Sequence, residues 1–153
     1  MRLHRIALAQ FSSTAADAFN GRGGLYGKGR WHTVGHLIVY ASENTSLAMA
    51  ESLVHIQRSN NIEPFNRWVI EIPDALIAAA PALPSGWRTN FALTQAYGDA
   101  WLTSLSSVGH FVPSAIVDNE MNCLINPCHP QFSSSWIVSG PHRFPFDSRL
   151  TRQ

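Results

Sequence analysis

Charge is scarce in this chain. Lys, Arg, Asp and Glu supply 14% of its 153 residues, against roughly 25% in an average soluble protein. Hydrophobic residues make up 45%, so the low charge argues against disorder, which needs few apolar and many charged residues. The formal net charge is only +1, which excludes a protein that holds nucleic acid through its overall field. No direct nucleic-acid binding is expected, although a local basic site for a few phosphates stays open. Long apolar runs are missing too: nothing approaches the ~20 residues of a membrane helix. The opening Met1-Arg2-Leu3-His4-Arg5 lacks the apolar core of a signal peptide. No membrane association is expected, and the cytoplasm is the expected compartment. Cys123 and Cys128 are a lone pair rather than a disulfide framework, and free thiols are expected. With no repeat, charge block or linker, residues 1–153 read as a single domain large enough to bury a core.

Hydrophobic periodicity outlines the elements. Residues 3–9 read as an opening strand, and the glycines between 21 and 29 as a loop that can bring backbone close to a ligand. Residues 37–41 form a compact apolar run, read as a buried strand. Ser42, Glu43, Asn44 and Thr45 offer N-cap candidates and a first-turn acid for a helix running to about Ser59. On it Met49, Leu53 and Ile56 fall in one line, widened by Leu47, Ala50 and Val54. Residues 67–72 alternate as a strand, 74–80 add a helical turn, and 81–90, rich in Pro and Gly, form a loop. A second helix is expected over 91–105, interrupted near Gly98. Residues 110–117, apolar around Pro113, suggest an edge or bulged strand, and 135–138 a last strand. Strands and helices intermix without regular alternation, which predicts a compact α+β domain.

Four side chains stand in settings that suit chemistry. Arg30 lies between residues of a glycine-rich turn, Gly27-Lys28-Gly29-Arg30-Trp31-His32. Its planar fork suits a pyrophosphate, with backbone N–H groups nearby; a solvated arginine beside a turn is the plainer reading. Glu51 has apolar neighbours on its helix and can stabilise positive charge in a cleft; an i,i+4 pairing with His55 on an exposed face is the alternative. Tyr40 ends a strand just before the helix cap, placed for stacking and hydrogen bonding or for core packing. Ser114 sits among apolar residues and needs a partner for its hydroxyl, which a phosphate, a ribose or its own backbone can supply.

Other groupings are weaker. His32 and His36 lack the helical setting of a metal pair, and Cys123, Cys128 and His129 lack a zinc spacing, so no metal is expected. The glycine cluster is not followed by Gly-Lys-Ser/Thr, and no Gly-x-Ser-x-Gly is present.

Taken together, the motifs resemble the RES domain, named for its arginine, glutamate and serine, over nearly the whole chain. Arg5-Ile6 resembles its opening, and Gly29-Arg30-Trp31-His32 its Gly-Arg-Trp-Asn turn, with His32 in place of the usual asparagine. Val39-Tyr40-Ala41-Ser42 and Ala50-Glu51-Ser52-Leu53-Val54-His55 match the strand and helix that follow. Val112-Pro113-Ser114, the stretch from Asn122 to Pro130, and Phe146-Asp147-Ser148-Arg149-Leu150 match its second half and its ending. The resemblance implies a bacterial toxin neutralised by a cognate Xre-like antitoxin, with which it can form an oligomer. It also implies a fold resembling that of ADP-ribosyltransferases and an activity that consumes NAD as substrate, with no added cofactor. Under it, Arg30 holds the NAD phosphates and acts in catalysis, Tyr40 lies against the nicotinamide end, Glu51 acts at the ribose, and Ser114 shapes the same pocket. The expected reaction is cleavage of the nicotinamide–ribose bond with water or phosphate as acceptor. Transfer of ADP-ribose to a protein, or nucleotide binding without turnover, are the alternatives.

Overall fold

The computed structural model describes residues 1–59 and 64–151. Seven strands form one sheet: β1 (Arg2–Leu8), β2 (Val39–Ser42), β3 (Phe65–Glu71), β4 (Ile77–Ala78), β5 (Gly109–Pro113), β6 (Met121–Ile125) and β7 (Ile137–Phe144). They lie in the order β4-β5-β6-β2-β1-β3-β7. Pairing is antiparallel except between β4 and β5. Among the described residues five helices accompany them: α1 (Ala15–Phe19), α2 (Gly23–Tyr26), α3 (Thr45–Ser59), α4 (Phe91–Ser104) and α5 (Ser148–Thr151). Helices and strands do not alternate, and the domain is α+β as its periodicities predict.

Alternation along the strands sends side chains to both faces of the sheet. One face buries Leu3, Val39, Ala41, Trp68, Ile70 and Cys123 against Ala18 and Phe19 of α1. The other face carries two clusters. Under α4 lie Trp31, Ile38, Val112 and Leu124 with Trp101 and Leu102; beside α3 lie Ile6, Phe65 and Ala48. The strip between these clusters holds Tyr40, Ser42 and Asn122, which the register Tyr40↔Leu124 and Ser42↔Asn122 brings to one face. β1 and β2 are registered at His4↔Ser42, where they begin to part.

Several local expectations shift. The strand expected over 37–41 begins at Val39, and the one expected over 67–72 begins at Phe65. Asn44 is the residue that caps α3, its Oδ1 accepting the Leu47 N–H at 2.8 Å. Glu43 is no first-turn acid; it accepts the Met121 N–H instead. Of the apolar line on α3, Met49 and Leu53 pack inward, while the side chain of Ile56 lies outside the described residues. The 74–80 turn is a 3-10 turn, Asp74–Leu76, leading into β4. α4 runs through Gly98 without a break. A Cβ at Gly98 would lie 1.8 Å from the Trp31 carbonyl oxygen, so this glycine admits a neighbouring main chain rather than interrupting the helix. β5 is not an edge strand: β4 and β6 flank it, and Pro113 is tolerated as its last residue. β6 is a strand that periodicity does not announce, and β7 is longer than the expected 135–138.

Candidate active site

The turn that carries Arg30 is gripped from two sides. From α4, Gln95 Nε2 donates to the Gly29 carbonyl at 2.8 Å and Thr94 Oγ1 to the Arg30 carbonyl at 2.7 Å. Asp99 accepts the Thr33 N–H at 3.0 Å and the Thr33 hydroxyl at 2.7 Å, and faces His36 at 3.4 Å. From β2, the Tyr40 hydroxyl accepts the Trp31 N–H at 3.3 Å. Gly29 is required here because a Cβ would come within 2.6 Å of the Tyr40 hydroxyl and 2.7 Å of His32 Nδ1. Arg30 therefore projects from a fixed base. Its Nη1 donates to the Arg88 carbonyl at 2.7 Å, and its guanidinium lies 4.4 Å from the Phe91 ring centroid and 5.9 Å from that of Trp87.

His32 fixes Tyr40. Its Nε2 lies 3.0 Å from the Gly27 carbonyl, which only accepts, so Nε2 carries the proton of the neutral ring. Nδ1 is then the acceptor for the Tyr40 hydroxyl at 2.7 Å. Burial lowers the His32 pKa, which keeps the ring in this neutral form. Burial likewise raises the Tyr40 pKa, so Tyr40 stays a neutral phenol whose proton is committed to His32. Tyr40 thus presents a ring rather than a free O–H. Its hydroxyl is bonded to the Arg30 turn through the Trp31 N–H, and its ring shares a sheet face with Ser42 and Asn122, which lead to Glu51.

Glu51 is held by two donors. Ser114 Oγ donates to its Oε1 at 2.9 Å, and Asn122 Nδ2 donates to the same oxygen at 2.5 Å. Asn122 is oriented by the Ser42 hydroxyl, which donates to its Oδ1 at 2.7 Å. Ser114 is 1% exposed and also accepts the N–H groups of Ile116 and Val117 at 3.2 and 3.1 Å. Its hydroxyl is fully used within the protein, so Ser114 acts on Glu51 rather than reaching outward. Among the described residues no hydrogen bond engages Glu51 Oε2. The alternative partner His55 has its side chain outside the described residues.

The structure therefore joins Glu51 directly to Ser114 and sets Tyr40 between Glu51 and the Arg30 turn. Asn122 lies in one of the matched motifs, yet sequence reasoning gives it no role. Its function depends on the register with Ser42, 80 residues away in the chain, and no local signal carries that. Arg5 escapes sequence reasoning as well. Its Nη1 donates to the Tyr40 carbonyl at 2.9 Å where β1 and β2 part, its buried Nε has no acceptor among the described residues, and burial lowers its pKa to about 10. A buried donor left without an acceptor is rare in a folded protein. A separate hollow of about 300 Å³, lined by Leu25, His36, Leu37, Leu102 and Asn126 among others, sits at the opposite ends of β2 and β6 and holds none of these groups.

The arrangement has relatives. The sequence profile of the RES domain matches residues 2–147. The chain belongs to the RES domain family. It is 38% identical to Toxin Res of Yersinia enterocolitica, over 98% of this chain and 99% of that protein. It is 39% identical to the Prs ADP-ribosylating toxin of a Sphingobium species, over 90% of this chain and 89% of that one. With these relatives the RES protein is a toxin. Its fold is shared with the crystal structure of the M. tuberculosis MbcT–MbcA toxin–antitoxin complex, at a TM-score of 0.62 and 18% identity, over 81% of this chain and 72% of that one.

Proposed function

We propose that this RES toxin is an enzyme that degrades NAD by cleaving the bond between nicotinamide and ribose. The observation that carries the reading is a carboxylate, Glu51, oriented by Ser114 and Asn122, with Tyr40 on the same sheet face as Asn122 and bonded through its hydroxyl to the turn that carries Arg30. NAD has the matching parts in matching order: a diphosphate for the guanidinium, and a ribose carbon that becomes cationic as its bond to nicotinamide breaks. In that step both bonding electrons leave with the pyridine nitrogen, which neutralises its charge. The ribose is left as an oxocarbenium-like cation. Glu51 stabilises this charge, which is larger in the transition state than in bound NAD, so the interaction accelerates the reaction. Its fixed orientation means little reorganisation is needed at that moment. Arg30 holds the diphosphate so that the ribose sits against the carboxylate, and the Tyr40 ring, held by His32, supplies a flat apolar wall at the nicotinamide end.

Water as acceptor yields ADP-ribose, nicotinamide and one proton; inorganic phosphate yields ADP-ribose carrying a phosphate at the same carbon. A second reading, transfer of ADP-ribose to a protein side chain, is favoured by the name of the Sphingobium relative as an ADP-ribosylating toxin. NAD is substrate in each case, and no further cofactor takes part. A toxin of this kind has to be restrained in its own cell. The MbcT–MbcA structure, in which a toxin of the same fold is complexed with an antitoxin, supports a protein antitoxin as partner here; an Xre-like type is what the resemblance to the RES domain implies.

The test is Glu51→Gln, which keeps size and removes charge. Turnover of NAD is expected to fall ~100-fold or more while NAD affinity changes much less. Near-normal turnover would assign Glu51 a structural role and remove the proposed mechanism.

A further inference from the structure

We propose that Arg88 is a second anion ligand of this cleft, one that exchanges Asp118 for a phosphate of the substrate. The proposal rests on the reading of the cleft as a site for a dinucleotide with a diphosphate bridge.

Residues 84–90 form consecutive turns, with the N–H groups of Trp87, Thr89 and Asn90 bonded to the carbonyls of Pro84, Gly86 and Trp87. The Trp87 ring anchors them, packing 5.8 Å from the Trp31 ring. Two guanidinium groups gather at that one indole, Arg30 at 5.9 Å and Arg88 at 5.1 Å from its centroid. The Arg30 side chain also donates to the Arg88 carbonyl, so the two residues are tied at main-chain level. Like charges crowded on one ring favour an anion beside them.

Asp118 fills that place for Arg88, with Nη2 and Oδ1 2.5 Å apart. The side chains of this pair are 46% and 82% exposed, and water screens such pairs so that they hold weakly. A diphosphate presents adjacent anionic oxygens to adjacent forks, a better match than one carboxylate. Asp118 also follows the turn built on Ser114, whose hydroxyl takes the N–H groups of Ile116 and Val117 and donates to Glu51. The Arg88–Asp118 pair therefore bridges the Arg30 side of the cleft to the Glu51 side. When a phosphate takes Arg88, the bridge opens, so that binding of the substrate and loss of the Arg88–Asp118 pair are one event.

Arg88→Gln and Asp118→Asn have opposite consequences if this is right. Binding of NAD is measured by calorimetry in a Glu51→Gln background, which suppresses turnover, at low and raised salt. Arg88→Gln is expected to weaken NAD binding by ~10-fold or more and to make its loss with salt shallower. Asp118→Asn removes the competitor and is expected to leave NAD affinity equal or tighter. Weakening of similar size in both variants would mean a structural tether and overturn the assignment, as would an unchanged affinity in Arg88→Gln. In those outcomes the parent still binds NAD, and the reading of the cleft stands. A parent that binds no NAD overturns both.

Discussion

The candidate functional side chains of this site have their geometry set by neighbouring residues. Glu51 takes its orientation from Ser114 and Asn122, Asn122 takes its own from Ser42, and Tyr40 is fixed by His32. Arg30 uses two properties of guanidinium, a flat face laid 4.4 Å from the Phe91 centroid and a fork that bonds the Arg88 carbonyl. An ammonium group keeps the charge and has neither. Arg30→Lys is therefore expected to raise KM for NAD by ~10-fold or more with a smaller effect on kcat. Steady-state kinetics of the two proteins would check this, and equal KM values would count against a phosphate role. Arg30, Tyr40, Glu51 and Ser114 are legible in the sequence because each sits in a short motif with a fixed neighbourhood. That Ser114 and Glu51 form a pair is not legible, since the two are 63 residues apart and meet only through the sheet. Asn122 and Arg5 are hidden for the same reason.

Among the elements, α4 matters more than its sequence suggests. Expected to break near Gly98, it is continuous, and it positions the Arg30 turn through Thr94, Gln95 and Asp99. Gly98 lets it lie directly on the Trp31 main chain. Gly98→Ala gains helix propensity of about 1 kcal/mol. Its new Cβ would meet a carbonyl oxygen at 1.8 Å, and backbone cannot step aside as a flexible side chain does. A net destabilisation of about 2 kcal/mol is expected from such overpacking, which lowers Tm by several degrees for a domain of this size. Because the displaced group adjoins Arg30, NAD turnover should fall as well; calorimetric unfolding and activity measured together would show it. A variant as stable and active as the parent would contradict the close packing of α4 on this turn. β1, β2, α3 and β3 are readable from period and capping residues to within about two positions. β6 is not, because its five residues carry no turn signal distinguishing a central strand from an apolar loop. β7 reads too short, since Pro141 and the polar residues around it hide a strand that pairs along β3.

Taken in its full span, the sheet does two jobs. One face of its middle strands buries the core, and on the other β2 and β6 carry a polar strip on which Tyr40, Ser42 and Asn122 share one face. The α+β class follows from the order of periodicities, whereas the position of this strip follows from strand order, which periodicity does not contain. Membership of the RES family fixes the chain as a toxin, and how it poisons rests on its chemistry with NAD. That chemistry is decided by incubating the purified wild-type protein, free of any antitoxin, with NAD alone, with NAD and phosphate, and with NAD and a cell extract, and following the products by mass spectrometry. Release of nicotinamide with ADP-ribose, or its phosphorylated form, is expected without any protein target. Consumption only in the extract, with ADP-ribose recovered on a protein, would replace NAD degradation with transfer. Undiminished NAD under all three conditions, from protein shown to be folded, would contradict both.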